Sequence, residues 1–267
     1  MMDYNSLKDF AIDLAKSSGK ILMSYYGSNL KIDKKSSVDL VTKADLESEK
    51  NIINSIRTNF PDHDIISEES DIKSSKSNYK WVVDPLDGTT NYVHSLPIFS
   101  VSIAFQYKND TKIGVVYNPA YNKCFWAIKN LGAYDNNEKI SVSNNKKLIN
   151  SLLVTGFPYI QDKAWHKSFD IFKEFYSMTQ GVRRLGAASL DFCFVAMGRF
   201  DGFYELNLKP WDVCAGDLIC REAGGKTSDW NNNKMPFSGS NIIASNKKIH
   251  SSMLEILNQK KYQTILH

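Results

Sequence analysis

The chain has 267 residues, with 33 Lys plus Arg against 29 Asp plus Glu, a formal net charge of +4, and 42% hydrophobic residues. That length allows one large domain or two small ones around a real core, and so mild a balance, with no run of five or six basic residues, does not indicate nucleic-acid binding. Cys124, Cys193, Cys214 and Cys220 are scattered, without a CxxC pair or closely spaced histidines, which argues against a zinc site or a disulfide framework and for free thiols. No run approaches the roughly 18 apolar residues of a membrane span, and Met1-Met2-Asp3-Tyr4 does not open a signal peptide, so a soluble cytoplasmic protein without membrane contact is expected.

Leu7, Phe10, Ala11, Leu14, Ala15, Ile21, Leu22 and Tyr25 follow helical spacing, and Gly27 offers a stop, which predicts a long amphipathic helix over 7–25. After a polar linker over 29–37, Val38-Asp39-Leu40-Val41 leads to Thr42-Lys43-Ala44-Asp45, where a threonine precedes an acid by three, close to a capping box. The second helix runs to about Phe60 with Ile52, Ile53, Ile56 and Phe60 inward, and Pro61-Asp62 ends it. On this pattern alone Asp45 is a helix-start acid. Ile65-Ile66-Ser67 then precedes the adjacent acids Glu68 and Glu69 and a polar loop over 71–80; one acid can point inward, although paired glutamates are usually solvated.

The chain converges on Trp81-Val82-Val83-Asp84-Pro85-Leu86-Asp87-Gly88-Thr89-Thr90-Asn91. A continuous apolar run before a breaker suits a buried strand, and Pro85 holds Asp84 extended, so both acids fall at a strand end. Gly88 permits close backbone approach, and the amides of Gly88, Thr89 and Thr90 open a short helix whose first N–H groups lack internal partners and attract anions. Two carboxylates beside such a cradle would repel a phosphate unless cations sat between them, which points to a divalent metal and phosphate site. A turn with a capping aspartate is the plainer alternative.

Apolar runs over 99–107, 112–117 and 124–128 predict an antiparallel meander, with one more hairpin around Gly132 to Asn137. A polar stretch over 141–147 marks a subdomain boundary. Beyond it come a strand at 151–155 and a helix at 162–178 with Trp165, Phe169, Phe172 and Phe175 or Tyr176 on its apolar side. A helix at 187–197 and a short strand at 203–206 follow. Pro210-Trp211-Asp212 then opens a helical segment, 213–223, closed by Gly224 and Gly225, and a strand at 242–245 and a helix at 248–257 finish the chain. Asp212 could be no more than an N-cap. Gly225-Lys226-Thr227 lacks the upstream glycine and strand of a P-loop, and no G-x-S-x-G, H-E-x-x-H or G-x-G-x-x-G occurs.

Taken in order, Glu68-Glu69, the eight residues from Asp84 to Asn91, and Trp211-Asp212-Val213-Cys214-Ala215-Gly216-Asp217 resemble the inositol monophosphatase family over nearly the whole length. The resemblance implies an α+β fold, a layered α/β/α/β/α sandwich with mixed and antiparallel sheets. It implies a single phosphatase domain over 1–267, with subdomains near 1–147 and 148–267, commonly a homodimer. It implies that Glu68, Asp84 and the carbonyl of Leu86 hold one Mg2+ and that Asp84, Asp87 and Asp212 hold a second, two or three ions in all, suited to a hard cation that wants about six oxygens. Asp45 and Thr89 would be the catalytic pair that orients the attacking water. Gly88, Thr89, Asp87, Ala188, Glu205 and Asp212 would contact a small phosphorylated substrate. The implied reaction is magnesium-dependent, lithium-sensitive hydrolysis of inositol 1-phosphate or a related polyol phosphate. Relatives also use fructose 1,6-bisphosphate, the 2′-phosphate of NADP or 3′-phosphoadenosine 5′-phosphate, and members diverge most over 156–163 and 71–80. Some bacterial relatives instead serve as binding factors for transcription complexes.

Overall fold

A computed structural model describes residues 3–28, 32–34, 40–69 and 77–263. Val38, Asp39 and most of the polar loop expected over 71–80 lie outside the described residues. The first helix, α1 (Tyr4–Tyr25), starts where Asp3 accepts from the Asn5 amide, and it buries Leu7, Ala11, Leu14, Ala15 and Leu22, the stripe that the spacing predicts. Short strands β1 (Ile32–Lys34) and β2 (Leu40–Thr42) pair antiparallel. Helix α2 (Lys43–Asn59) follows with a complete capping box: Thr42 accepts from the Ala44 and Asp45 amides, and Asp45 reaches back to the Thr42 amide.

Seven strands form the first sheet: β3 (Asp64–Ser67), β4 (Tyr79–Asp87), β5 (Ser100–Tyr107), β6 (Asp110–Asn118), β7 (Lys123–Ile128), β8 (Gly132–Asp135) and β9 (Glu138–Lys139), neighbours in that order. Only β3 and β4 run parallel; the rest are the antiparallel meander read from the sequence. A short helix, α3 (Thr89–Val93), leaves the end of β4. The second half supplies β10 (Leu152–Thr155), α4 (Lys163–Met178), β11 (Gly181–Arg183), α5 (Ala188–Ala196), β12 (Gly202–Leu206), α6 (Pro210–Glu222), β13 (Lys226–Ser228), β14 (Asn241–Ser245), α7 (His250–Leu257) and α8 (Lys260–Gln263). Its five-stranded sheet has the order β11-β10-β12-β14-β13, with β10 parallel to both neighbours and β14 antiparallel to both of its own.

Three apolar clusters set the layers. Leu14, Leu22, Ile52 and Ile56 pack α1 and α2 on one face of the first sheet with Trp81, Val83, Ile103 and Val115. The opposite face, through Val82, Ala104, Val116 and Phe125, meets α5 and α6, which also touch Val154, Phe203 and Ile242 of the second sheet. Ile171 and Phe175 of α4 and Met253 and Ile256 of α7 cover that sheet's outer side. The order is therefore α/β/α/β/α. Alternation along β4 and β5 drives it, since neighbouring residues face different helical layers. Between β6 and α6 the backbones nearly touch: a Cβ on Gly114 would stand 2.6 Å from the carbonyl oxygen of Ala215.

Several local expectations need correction. The aromatic stripe of α4 is divided: Phe175 is buried with Ser168 and Ile171, and Phe172 packs against the same cluster, while Phe169 and Tyr176 are exposed and Phe169 stacks on Phe157 at 4.3 Å. An aromatic residue can satisfy itself by stacking on another at the surface, so periodicity alone misassigns the face. Helix α6 starts at Pro210, not 213, because proline suits a helix's first position. Strands β11 and β13, three residues each, were not foreseen.

Candidate active site

Both acids of the Asp84 stretch fall at the end of β4, where they pair in register with Ser102 and Ser100 of β5 across an irregularity. The ladder breaks at Pro85, which has no N–H to give. Asp84 is buried, and its Oδ1 accepts from the Leu86 amide at 3.0 Å. Gly88 adopts φ +89°, and a Cβ there would meet the Ile98 carbonyl oxygen at 2.9 Å, so the turn into α3 requires glycine. The threonine that follows places its hydroxyl 3.1 Å from the Leu86 carbonyl oxygen and 3.3 Å from Asp45 Oδ1.

A cavity of about 710 Å³ opens above this turn, lined by Glu68, Asp84, Leu86, Asp87, Gly88 and Thr89 from the first sheet. Gly186, Ala187, Ala188, Glu205 and Asp212 close it from the second half. Every chosen metal and substrate residue thus lines one space. Asp45 lies just behind it, buried, reaching the cavity through Thr89. Glu69 is not among the lining residues, so Glu68 is the acid of that pair that turns inward.

The carboxyls disturb one another. Burial holds Asp84 well above the usual carboxylate range, and the charges of Glu68, Asp87 and Asp212 push it further. Asp212, third residue of α6, is raised by burial and then by Asp87 and Glu68, against the pull of the Lys209 amide, which donates to its Oδ2 at 2.7 Å. Burial also raises Asp87, opposed by hydrogen bonds from Ser189, Ala188 and Ser100. Asp45 is raised by burial and lowered by Thr42 and Thr89. On the far wall, burial and Asp87 take Glu205 up to about 8 while Arg184 pulls it down.

Among the described residues no three of His, Cys, Asp and Glu already close to ligating distance around a point. Asp84, Asp87 and Asp212 each accept from a donor of their own, the Leu86 amide, Ser189 and the Lys209 amide, and Glu68 shares a hydrogen bond with Asp84. The donor set nevertheless fits a hard cation: the lining contains carboxylates, a main-chain carbonyl and hydroxyls, but no histidine or cysteine. Sequence reading missed Arg184, Lys209 and Ser189. Arg184 follows the short β11 that it also missed, Lys209 precedes α6 as an ordinary exposed lysine, and Ser189 has no local signal because its partner, Asp87, lies 102 residues away.

A layered α/β/α/β/α body whose central turn gathers acids beside backbone amides suits a phosphoric monoester hydrolase, and the family that the chain matches makes it one. Comparison with known proteins agrees. The model of the inositol monophosphatase family matches residues 3–262. Nus factor SuhB of Pasteurella multocida is 41% identical over 258 residues, covering 96% of each chain. Inositol-1-monophosphatase of Synechocystis sp. is 39% identical over 257 residues, 96% of this chain and 90% of that protein. Among solved structures, extragenic suppressor protein suhB of Bartonella henselae superposes with a TM-score of 0.91 at 35% identity, covering 96% of this chain and 99% of its own. The chain belongs to the inositol monophosphatase family. One similar structure, an IMPase/NADP phosphatase at 26% identity and a TM-score of 0.79, is a complex with Mg2+ and phosphate. No helix among the described residues is long and apolar enough to cross a membrane, and all four cysteines are free and buried.

Proposed function

We propose that the chain is a magnesium-dependent phosphomonoesterase acting on inositol 1-phosphate or a related polyol phosphate. The observation that carries this reading is the meeting of Glu68, Asp84, Asp87 and Asp212 in one cavity with Leu86, Gly88 and Thr89. Glu68, Asp84 and the Leu86 carbonyl would hold one magnesium ion and Asp84, Asp87 and Asp212 another, two or three in all. Bound there, magnesium would acidify a water and offset charge on the phosphoryl group and the departing alkoxide.

The chain's own residues do the rest. Asp45, fixed by Thr42, accepts the Thr89 hydroxyl proton, which leaves the Thr89 oxygen free to accept from the attacking water and orient it toward phosphorus. The Gly88 and Thr89 amides steady the phosphate oxygens. Glu205 and Ala188, on the opposite wall, face the alcohol, where a carboxyl can bond its hydroxyls. Exposed Tyr159, Ile160, Phe169 and Tyr176 on α4 and the segment before it support a homodimer, which sedimentation velocity would detect. The free, unbridged cysteines support a cytoplasmic setting.

A phosphate-release panel tests the reading. Inositol 1-phosphate, fructose 1,6-bisphosphate, NADP and 3′-phosphoadenosine 5′-phosphate are compared with magnesium, with chelator, and with tens of millimolar lithium. We expect fastest release from inositol 1-phosphate, loss with chelator and inhibition by lithium. Negligible turnover of that ester beside rapid turnover of a nucleotide would replace the leaving group but keep the machinery.

A second reading is favoured by one observation, the 41% identity to a relative named Nus factor SuhB: a role in a transcription complex. Asp87→Asn separates the two. Loss of hydrolysis with every cellular role retained would favour the binding role.

A further inference from the structure

Two buried hydroxyls beside the metal turn have no part in the mechanism above. Ser100 of β5 stands directly opposite Asp87 in the ladder with β4, and Ser189 is the second residue of α5, arriving from the other half of the chain. Both are fully buried. The Ser189 amide donates to Asp87 Oδ2 at 2.9 Å, and the Ser189 hydroxyl donates to the same oxygen at 2.5 Å. Ser100 Oγ lies 2.8 Å from Ser189 Oγ.

A hydroxyl carries a single proton. Since an ionised carboxylate can only accept, the Ser189 proton goes to Asp87, and the Ser100 hydroxyl, which reaches both Asp87 and the Ser189 oxygen, completes the cluster around the carboxylate. The bonds in this cluster polarise one another. Both hydrogen bonds from Ser189 fall on one carboxylate oxygen. The torsion that turns an aspartate carboxylate is broad and roughly two-fold, so an untethered Asp87 would sample many orientations that an arriving ion would have to restrict.

We infer that Ser189, backed by Ser100, is a positioning residue for Asp87: it ties Oδ2 to the start of α5 and leaves Oδ1 to meet the cation that Asp87 shares with Asp84 and Asp212. This rests on the magnesium reading above. Neither serine touches substrate in this account; each acts through the carboxylate.

Calorimetric titration with magnesium, without substrate, tests it on the wild-type protein, Ser189→Ala and Ser100→Ala. Ser189→Ala should weaken one binding step about tenfold, the weight of one hydrogen bond to a charged group. The magnesium needed for half-maximal phosphate release should rise by the same factor. Ser100→Ala keeps both Ser189 contacts and should weaken that step about threefold. A hydroxyl that only filled space would leave the binding isotherm unmoved. A folded Ser189→Ala protein with the wild-type isotherm overturns the inference; if that variant does not fold, a wild-type isotherm for Ser100→Ala does so. Wild-type protein that takes up no magnesium overturns the magnesium reading and this inference together.

Discussion

Asp45 faces two ways: its Oδ2 accepts from the amide and hydroxyl of Thr42, at 2.8 and 2.5 Å, while its Oδ1 stands 3.3 Å from the Thr89 hydroxyl. One carboxylate therefore both caps α2 and positions the first residue of α3. Helix capping and the catalytic role proposed for Asp45, rivals in the sequence, would fall to the two oxygens of one side chain.

That division makes Asp45→Asn informative. An amide can still accept in place of one oxygen, so the helix should lose only about 1 kcal/mol, read from urea unfolding. Phosphate release should fall by about two orders of magnitude or more, since the amide no longer draws the Thr89 proton. Thr89→Ala should cost about as much, and the double variant little more than either alone, because residues that act as a unit are not additive. A rate near wild type for Asp45→Asn would leave it only its cap.

The acid cluster predicts a pH dependence that reverses the usual one. Asp84, Asp212 and Glu205 have folded-state pKa values above their unfolded ones, so the folded protein holds these protons more tightly. Their stabilisation is present at low pH and disappears as pH rises through the folded values, which for Glu205 means a climb from the ordinary 4.5 to about 8. Melting of metal-free protein should drop by several degrees between about pH 4.5 and 8, and magnesium should restore most at the alkaline end. A flat melting profile in chelator would count against the clustered acids.

His250 acts in the other direction. Burial takes it down to about 4, its two ring nitrogens lie 2.9 Å from Ser245 Oγ and 3.0 Å from Ser228 Oγ, and it remains neutral when folded. A group with a depressed folded value loses its contribution as pH falls, here from the ordinary 6.5 toward 4. His250→Asn should flatten stability against pH across that window, at a fixed loss of about 1 to 3 kcal/mol for the disturbed hydroxyl pair. Denaturant unfolding at several pH values measures both.

Gly156 seats Glu205: a Cβ at that position would collide with the Glu205 carboxyl oxygens. Gly156→Ala should displace the carboxyl from the wall facing the alcohol and raise KM by about tenfold, as loss of one polar substrate contact does, with a smaller change in kcat. Glu205→Gln, which keeps the shape, should raise KM less. Equal effects of both on kcat alone would remove Glu205 from substrate contact.

What could be read from sequence follows from range. The capping box at Thr42 and Asp45, the break at Pro85 and the glycine at 88 are decided by neighbours within a few residues, so their chemistry is visible in a short window. The fold class was legible through the family resemblance carried by Glu68-Glu69, the Asp84 to Asn91 stretch and Trp211-Asp212, and the apolar runs of β4 to β7 and the periodicity of α1 and α2, local as well, agree with it. Three-residue strands such as β11 leave no periodicity to detect, and they exist because β10 offers a parallel partner. The outward aromatic side of α4 depends on Phe157 lying beside Phe169, a contact between segments. Ser189 is the extreme case, an ordinary serine until α5 is laid against the end of β4.

The near-contact of Gly114 with Ala215 has a consequence for the cavity, although neither residue lines it. Helix α6 rests on β6 at a spot where one residue contributes no side chain, and that helix carries Asp212 one turn before the contact. The missing methyl works as a depth stop. Adding it would tilt or lift the whole rod and withdraw its acid from the opposite wall, so Gly114→Ala would masquerade as damage to the chemistry while touching nothing that reacts. Spacing between the two halves of this molecule is thereby written in an atom that is not there.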